Sequence, residues 1–210
     1  FLLTPKEKQS APGSYATVEA AGKGLEGYEF RVQVDPLDCT GCGSCEQVCP
    51  APEKAIEMQP LESKMGEQAN WNYSLSLSPK DGLMNKFTVK GSQFQQPLLE
   101  FSGACAGCGE TPYMKLLTQL FGDRMILANA TGCTQAWGAA APCVPYTKNR
   151  CGHGPAFSNS LFENNAEFSL GMCLATQQRR EHLAARVKEL AGQTGDEPLR
   201  AALKAWINGY

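Results

Sequence analysis

The residues with the clearest chemistry are ten cysteines in 210 residues, seven of them in tight clusters. Four lie in "CTGCGSCEQVCP" as Cys39, Cys42, Cys45 and Cys49, with Pro50 directly after. Three more are Cys105 and Cys108 in "SGACAGCGETPYMK" and Cys133 in "ATGC". Thiols three apart suit a shared metal better than mutual disulfide bridges. No secretion signal accompanies them, so they read as metal ligands in a reducing compartment. The first run has the two-two-three spacing that wraps one corner of an iron–sulfur cubane. Gly41 and Gly43 give the loop left-handed dihedrals and let backbone N–H groups approach sulfur. Zinc or unligated thiols are the plain alternative for this run. For Cys105, Cys108 and Cys133 a zinc site would need a fourth donor such as Cys143, Cys151 or His153.

The first run is the spacing of bacterial ferredoxins, in which the fourth cysteine of each run ligates the other of two clusters. Cys39, Cys42 and Cys45 would then need a ligand from a companion run, and Cys49 would serve that companion. No companion occurs in the chain. Either the module holds one cluster, or its other half precedes Phe1. A chain that opens on Phe1, without an initiator methionine, fits a piece of a longer chain or a processed one.

The elements that must position these residues fall into two differently patterned regions. Residues 1–28 read as loop, rich in Gly, Ser and Pro. "YEFRVQVD" at 28–35 alternates as a strand should, and "KAIEMQPL" at 54–61 resembles a second. Residues 60–95 form a polar connector in which "YSLSLS" and "KFTVKG" are candidate strands. Beyond it, Thr111 is the expected N-cap and Pro112 the first residue of an amphipathic helix that Gly122 closes. "RMILANA" reads as a buried strand ending in the turn "TGC". Helix then returning strand would bring Cys133 back beside Cys105 and Cys108. Residues 158–192 read as a long helix or helix pair, and 197–210 as a final helix. The expected fold class is an α+β ferredoxin-like cluster module followed by part of an α/β domain. The expected divisions are 1–59, 60–95 and 96–210.

Composition narrows the function. The formal charge of −2 provides no basic field for nucleic acid, and no run has the apolar length of a membrane span. The expectation is a cytoplasmic protein without nucleic-acid or membrane partners.

"FSGACAGCGETPYMKLLTQLFGDRMILANATGC", "WGAAAP", "PYT", "GPAFSNSLFENNAEFSLGM" and "EGYEFRVQVDPLDCTGCGSCEQVCP" together resemble pyruvate:ferredoxin (flavodoxin) oxidoreductases. The likeness covers nearly all of residues 1–190. It implies that 1–59 is the second half of a two-cluster ferredoxin-like domain and 96–210 the start of a thiamine diphosphate-binding domain. It implies that Cys39, Cys42, Cys45 and Cys49 ligate 4Fe–4S clusters. Cys105, Cys108 and Cys133 match ligands of a third, proximal cluster whose fourth cysteine lies beyond Tyr210. Glu110 and Cys133 match positions that contact thiamine diphosphate. The family's magnesium–diphosphate motif, GDG followed by a distant Asn, has no counterpart: "GDR" at 122–124 and "NN" at 164–165 do not supply it. The active site would therefore be incomplete here, with no catalytic residue assigned. The implied reaction is oxidative decarboxylation of pyruvate with coenzyme A to acetyl-CoA and CO2. Electrons would pass through three 4Fe–4S clusters to ferredoxin or flavodoxin, in a homodimer.

Two other classes are a non-catalytic iron–sulfur electron carrier and a zinc-stabilised binding domain. A simple carrier has no use for the region after residue 100. Another 2-oxo acid could also replace pyruvate. Outside the motifs, Cys143, Cys151 and Cys173 are expected as small buried hydrophobes, and His153 as a loop residue with a local hydrogen bond. Glu163 and Glu167 are expected as solvated helix charges. Asn129 and Thr131 are expected to bond the Cys133 turn or line the cofactor, and Trp137 and Phe157 to lie in the core.

Overall fold

A computed structural model describes residues 1–139, 144–159 and 164–209. The chain forms two compact units. The first comprises Phe1–Met125 with Gly132–Ala156, the second Ile126–Thr131 with Phe157–Tyr210.

The first unit begins with strand β1 (Leu2–Leu3) and helix α1 (Pro5–Gln9), where the composition reads as loop. Thr4 explains the helix. Its hydroxyl accepts from Glu7 N at 3.3 Å, and Glu7 Oε2 accepts from Thr4 N at 2.7 Å. This capping box, with Pro5 at the first position, satisfies donors that so short a helix would otherwise leave free. β1 pairs antiparallel with β3 (Glu29–Phe30), and β3 pairs antiparallel with β2 (Val18–Glu19). Leu2 lies opposite Phe30, and Leu3 opposite Glu29.

Side chains alternate across a strand, so β1 feeds two separate apolar clusters. Leu2 joins Ala20 and Leu25, flanked by Tyr28, Phe30, Leu83, Met84 and Phe94. Leu3, fully buried, joins Tyr15 and Leu77, flanked by Ala11 and Tyr73. Burying a leucine contributes about 1.5–3 kcal/mol, so two residues of an apparent loop anchor the unit.

The expected strand at 28–35 is laddered only at Glu29 and Phe30. Its partners are two residues long, and Val32 and Val34 remain exposed beyond them. The expected strand at 54–61 does not form. Ile56 and Met58 are exposed and find no strand edge among the described residues. Instead α2 (Ser44–Gln47) lies within the first cysteine run, and α3 (Leu61–Lys64) follows.

The first four residues of "YSLSLS" are helical and form the end of α4 (Glu67–Ser76), and "KFTVKG" leads into α5 (Val89–Ser92). The buried positions there are Asn70, Trp71, Ser74 and Leu77, which follow helical spacing. That face is hard to read because two of its members are polar. Both are hydrogen-bonded, as burial requires. Ser14 donates to Asn70 Oδ1 at 3.1 Å, and Asn70 donates to Glu67 at 2.9 Å. Ser74 donates to the Asn70 carbonyl at 3.0 Å and shares a 2.7 Å bond with the Tyr15 hydroxyl. Arg31 ties the same region together, pairing with Glu67 at 2.6 Å and stacking over Tyr15 at 4.5 Å.

Helix α6 (Thr111–Phe121) appears where its periodicity predicts, shifted by one residue. Glu110 is the N-cap, and Thr111 already has helical geometry, so its side chain makes no cap bond. The helix turns Thr118 and Gln119 inward. Leu98 N donates to Thr118 Oγ1 at 3.1 Å, and Gln119 donates to the Gln95 carbonyl at 3.0 Å. Lys86 donates to the Leu120 carbonyl at 2.7 Å, satisfying one of the carbonyls the helix end leaves open. Tyr113, Leu117 and Phe121 stay exposed in this chain. Gly122 does not end the helix with a left-handed residue. It begins a 3-10 turn, Gly122–Arg124.

In the second unit β4 (Ile126–Asn129) occupies the predicted strand and pairs with β5 (Ala156–Asn159). Helix α7 (Cys133–Gly138) lies in the first unit, right after the "TG" turn. The helix expected over 158–192 begins only at Asn165, since Ser158 and Asn159 belong to β5. It is the single helix α8 (Asn165–Gln193), which packs on β4, and the expected final helix α9 (Glu197–Gly209) packs on α8. No helix of the described residues is long and apolar enough to cross a membrane.

Candidate iron–sulfur site

The first cysteine loop is set by backbone geometry. Asp35 starts it, accepting from Leu37 N through its side chain at 3.0 Å and from Cys39 N through its carbonyl at 3.1 Å. Gly41 (φ +68) and Gly43 (φ +72) take the left-handed conformation expected of them. Around them the chain presents Cys39, Cys42 and Cys45 to the exterior, with Cys49 half-buried. A cavity of about 450 Å³ adjoins Cys39, Gly41 and Cys45 and is walled by Val34, Ile56 and Met58.

Two of the thiols are biased toward thiolate, the form that binds metal. The Ser44 hydroxyl and amide hold the Cys42 thiol below its ordinary range. Slight burial opposes them, and Thr40 and the Gly107 amide assist. Cys42 Sγ and Ser44 Oγ are 3.4 Å apart. For Cys49 the Ala51 and Ala55 amides lower the thiol against burial, with further help from Ile56 and the Lys54 charge. Ala55 N donates to Cys49 Sγ at 3.3 Å. Hydrogen bonds to sulfur are among the devices by which a protein sets a cluster's potential. The failed strand at 54–61 therefore has another use: its backbone N–H groups stay free to face Cys49.

The second cysteine pair lies in a tight turn, with Cys108 N donating to the Cys105 carbonyl at 3.0 Å. Cys105 is exposed and Cys108 half-buried. Glu110 is exposed, and its carbonyl accepts from Tyr113 N at 3.1 Å. Cys133, exposed, is the first residue of α7, and Ala136 N donates to the Gly132 carbonyl at 3.0 Å. The two cysteine loops meet, since a Cβ placed on Gly107 would stand 3.1 Å from Ser44 Oγ. Among the described residues no three Cys, His, Asp or Glu side chains gather around a single point, so the expected convergence of Cys133 on Cys105 and Cys108 is not seen in this chain.

Other expected residues divide. Trp137 is buried as expected, with its indole N–H unpaired. Phe157 is half-buried. Asn129 is buried, Thr131 exposed. His153 sits in a local turn, its amide donating to Asn149 Oδ1 at 3.0 Å. Cys151 and Cys173 are exposed, correcting the expectation of buried thiols. Cys151 lies in the turn ordered by Asn149, and Cys173 on an outer position of α8. Glu167 is exposed as expected; Cys143 and Glu163 lie outside the described residues. Sequence reasoning missed Ser44 and Ala55, the groups that condition Cys42 and Cys49. A hydroxyl two residues after a ligand cysteine was the available signal.

The donor chemistry suits an iron–sulfur group: thiols clustered in sequence, two biased toward thiolate, left-handed glycines and the Ala55 amide directed at Cys49 sulfur. The comparisons agree. A family described as 4Fe-4S binding domain matches residues 32–51, so the chain carries an iron–sulfur module of the ferredoxin type. Along its whole length it is similar to larger proteins. It is 56% identical over 209 residues to the pyruvate-flavodoxin oxidoreductase of Enterobacter agglomerans. It is 54% identical over 210 residues to the pyruvate:ferredoxin oxidoreductase of Moorella thermoacetica. In each case all of this chain is covered and 18% of the relative. A pyruvate dehydrogenase (NADP+) of Cryptosporidium parvum is 54% identical over 183 residues, which is 86% of this chain and 9% of that one. The chain is thus homologous to one segment of the pyruvate-flavodoxin and pyruvate:ferredoxin oxidoreductases and spans under a fifth of their length.

Proposed function

We propose that this chain is the junction segment of a pyruvate:ferredoxin or pyruvate:flavodoxin oxidoreductase. In this reading residues 1–59 are the second half of a two-cluster ferredoxin-like domain and 60–95 a connector. Residues 96–210 begin the thiamine diphosphate-binding domain. The complete enzyme oxidises pyruvate and joins its acetyl group to coenzyme A. It releases CO2 and passes an electron pair, one electron at a time, to ferredoxin or flavodoxin. It works as a cytoplasmic homodimer.

The observation that carries the reading is the contact between two kinds of cysteine loop. A ferredoxin-type run, 39–49, approaches a second cysteine turn, 105–108, at Ser44 and Gly107, and that turn leads into a helix. An isolated electron carrier needs only the first.

In the loaded enzyme, 4Fe–4S clusters supply one-electron carriers whose potentials span roughly −700 to +450 mV. Thiamine diphosphate with Mg2+ supplies the electron sink for decarboxylation. This chain's own part is narrower. Cys39, Cys42, Cys45 and Cys49 offer ligands at the ferredoxin-like end. Ser44 and Ala55 favour the thiolate at Cys42 and Cys49, and Gly41 and Gly43 keep the loop open to sulfur. Cys105, Cys108 and Cys133 offer ligands for the proximal cluster, completed by a cysteine from elsewhere in the enzyme. Glu110, at the start of α6, and Cys133 would contact the thiamine cofactor. The Mg2+–diphosphate ligands lie elsewhere.

The test is Cys105→Ser in the full chain as its gene encodes it, purified without oxygen. Pyruvate- and coenzyme A-dependent reduction of ferredoxin is expected to collapse while the iron held by the 39–49 loop remains. Normal electron delivery by that variant would contradict the reading.

A further inference from the structure

The glycines of the two cysteine loops are not alike. A Cβ placed on Gly41, Gly43, Gly103, Gly109 or Gly132 would meet nothing within 4 Å. On Gly107 it would stand 3.1 Å from Ser44 Oγ, across the junction between the loops. Gly107 also has φ +72, a conformation that side chains disfavour. The Cys108-to-Cys105 hydrogen bond closes the turn around it. Ser44 Oγ is in turn 3.4 Å from Cys42 Sγ. A side chain on Gly107 would therefore press on the hydroxyl that sits against the Cys42 sulfur.

We propose that Gly107 is a positioning residue that clamps the Cys105–Cys108 turn onto the Cys42 loop and tunes the cluster held there from the neighbouring cysteine set. This rests on the proposed assignment of both loops to clusters. A hydrogen-bond donor directed at a ligand sulfur stabilises the reduced, more negative state of a cluster. The space left by Gly107 keeps the Ser44 hydroxyl against Cys42 Sγ and so raises the potential of the cluster there.

The test uses the full chain, purified anaerobically, with iron and acid-labile sulfide measured first. Absence of both from the unmutated protein defeats the functional assignment, not this inference alone. Asparagine tolerates the left-handed conformation, so Gly107→Asn isolates the effect of the added side chain. It is compared with Ser44→Gly and with the double variant. Redox titration followed by paramagnetic resonance reads the midpoint potential and the magnetic coupling between clusters. Gly107→Asn is expected to lower the potential and weaken the coupling. The double variant is expected to match Ser44→Gly alone, because the obstructing hydroxyl is gone. If Gly107→Asn fails to fold, its recovery in the double variant supports the clamp. Failure of both to fold, or a Gly107→Asn protein with unchanged potential and coupling, overturns it.

Discussion

Thr118→Val separates hydrogen bonding from packing at the corner that supports the second cysteine turn. Thr118 is 2% exposed. Its Oγ1 accepts from Leu98 N at 3.1 Å and donates to the Lys115 carbonyl at 2.8 Å. Leu98 is itself buried, its carbonyl already accepting from Thr147 N at 3.0 Å. Valine preserves the shape and removes the oxygen, leaving the Leu98 N–H buried without a partner. Such a group costs about 1–3 kcal/mol. With a urea slope of about 3 kcal/mol/M, the unfolding midpoint falls by about 0.3–1 M. Hydrogen–deuterium exchange localises the effect. The Leu98 amide should exchange about 5- to 150-fold faster, the same energy expressed as a rate ratio. Thr118→Ser loses only a methyl, about 1 kcal/mol, and should keep the Leu98 amide the better protected of the two. Equal protection of Leu98 in the valine and serine variants would refute the reasoning.

Two further outcomes follow from electrostatics. Burial raises the Glu7 carboxyl, but hydrogen bonds from Lys80 and Thr4 outweigh it and leave it below the usual carboxylate value. Its contribution is therefore fully present above the unfolded carboxylate range and is lost as pH falls through the lowered folded value. Glu7→Gln should flatten that acid limb of a stability–pH curve, and an unchanged limb would count against the capping box. In metal-free protein, Cys42 and Cys49 should be alkylated by iodoacetamide with pH midpoints below that of an ordinary thiol. Ser44→Ala should move the Cys42 midpoint upward, read by peptide mass mapping; no movement would remove the role given to Ser44.

Legibility from sequence followed the locality of the constraint. Cys39, Cys42, Cys45 and Cys49 were readable because cluster ligation fixes spacing within a dozen residues, and Gly41 and Gly43 because the loop needs their dihedrals. Helices α6, α8 and α9 were readable from length and periodicity. The strand at 28–35 was overextended because alternation cannot say how long the partner is, and here β1 and β2 are two residues each. Helix α4 was missed because its buried face carries Asn70 and Ser74, whose partners Ser14 and Tyr15 lie more than fifty residues away. The buried Leu2 and Leu3 were hidden for the same reason, since what covers them comes from distant segments. Cys151 and Cys173 show the converse: cysteine is usually buried, yet nothing nearby in sequence obliges these two to be so.

The claim on which the account depends is that these thiolates hold iron–sulfur cubanes. The most direct measurement is elemental and acid-labile sulfide analysis, with low-temperature paramagnetic resonance, of the full chain purified without oxygen. The account predicts iron and sulfide in equal amounts, a brown chromophore, and a signal on reduction from which Cys42→Ser removes one cluster's component together with that cluster's iron. Stoichiometric zinc, no sulfide and a colourless protein would contradict it.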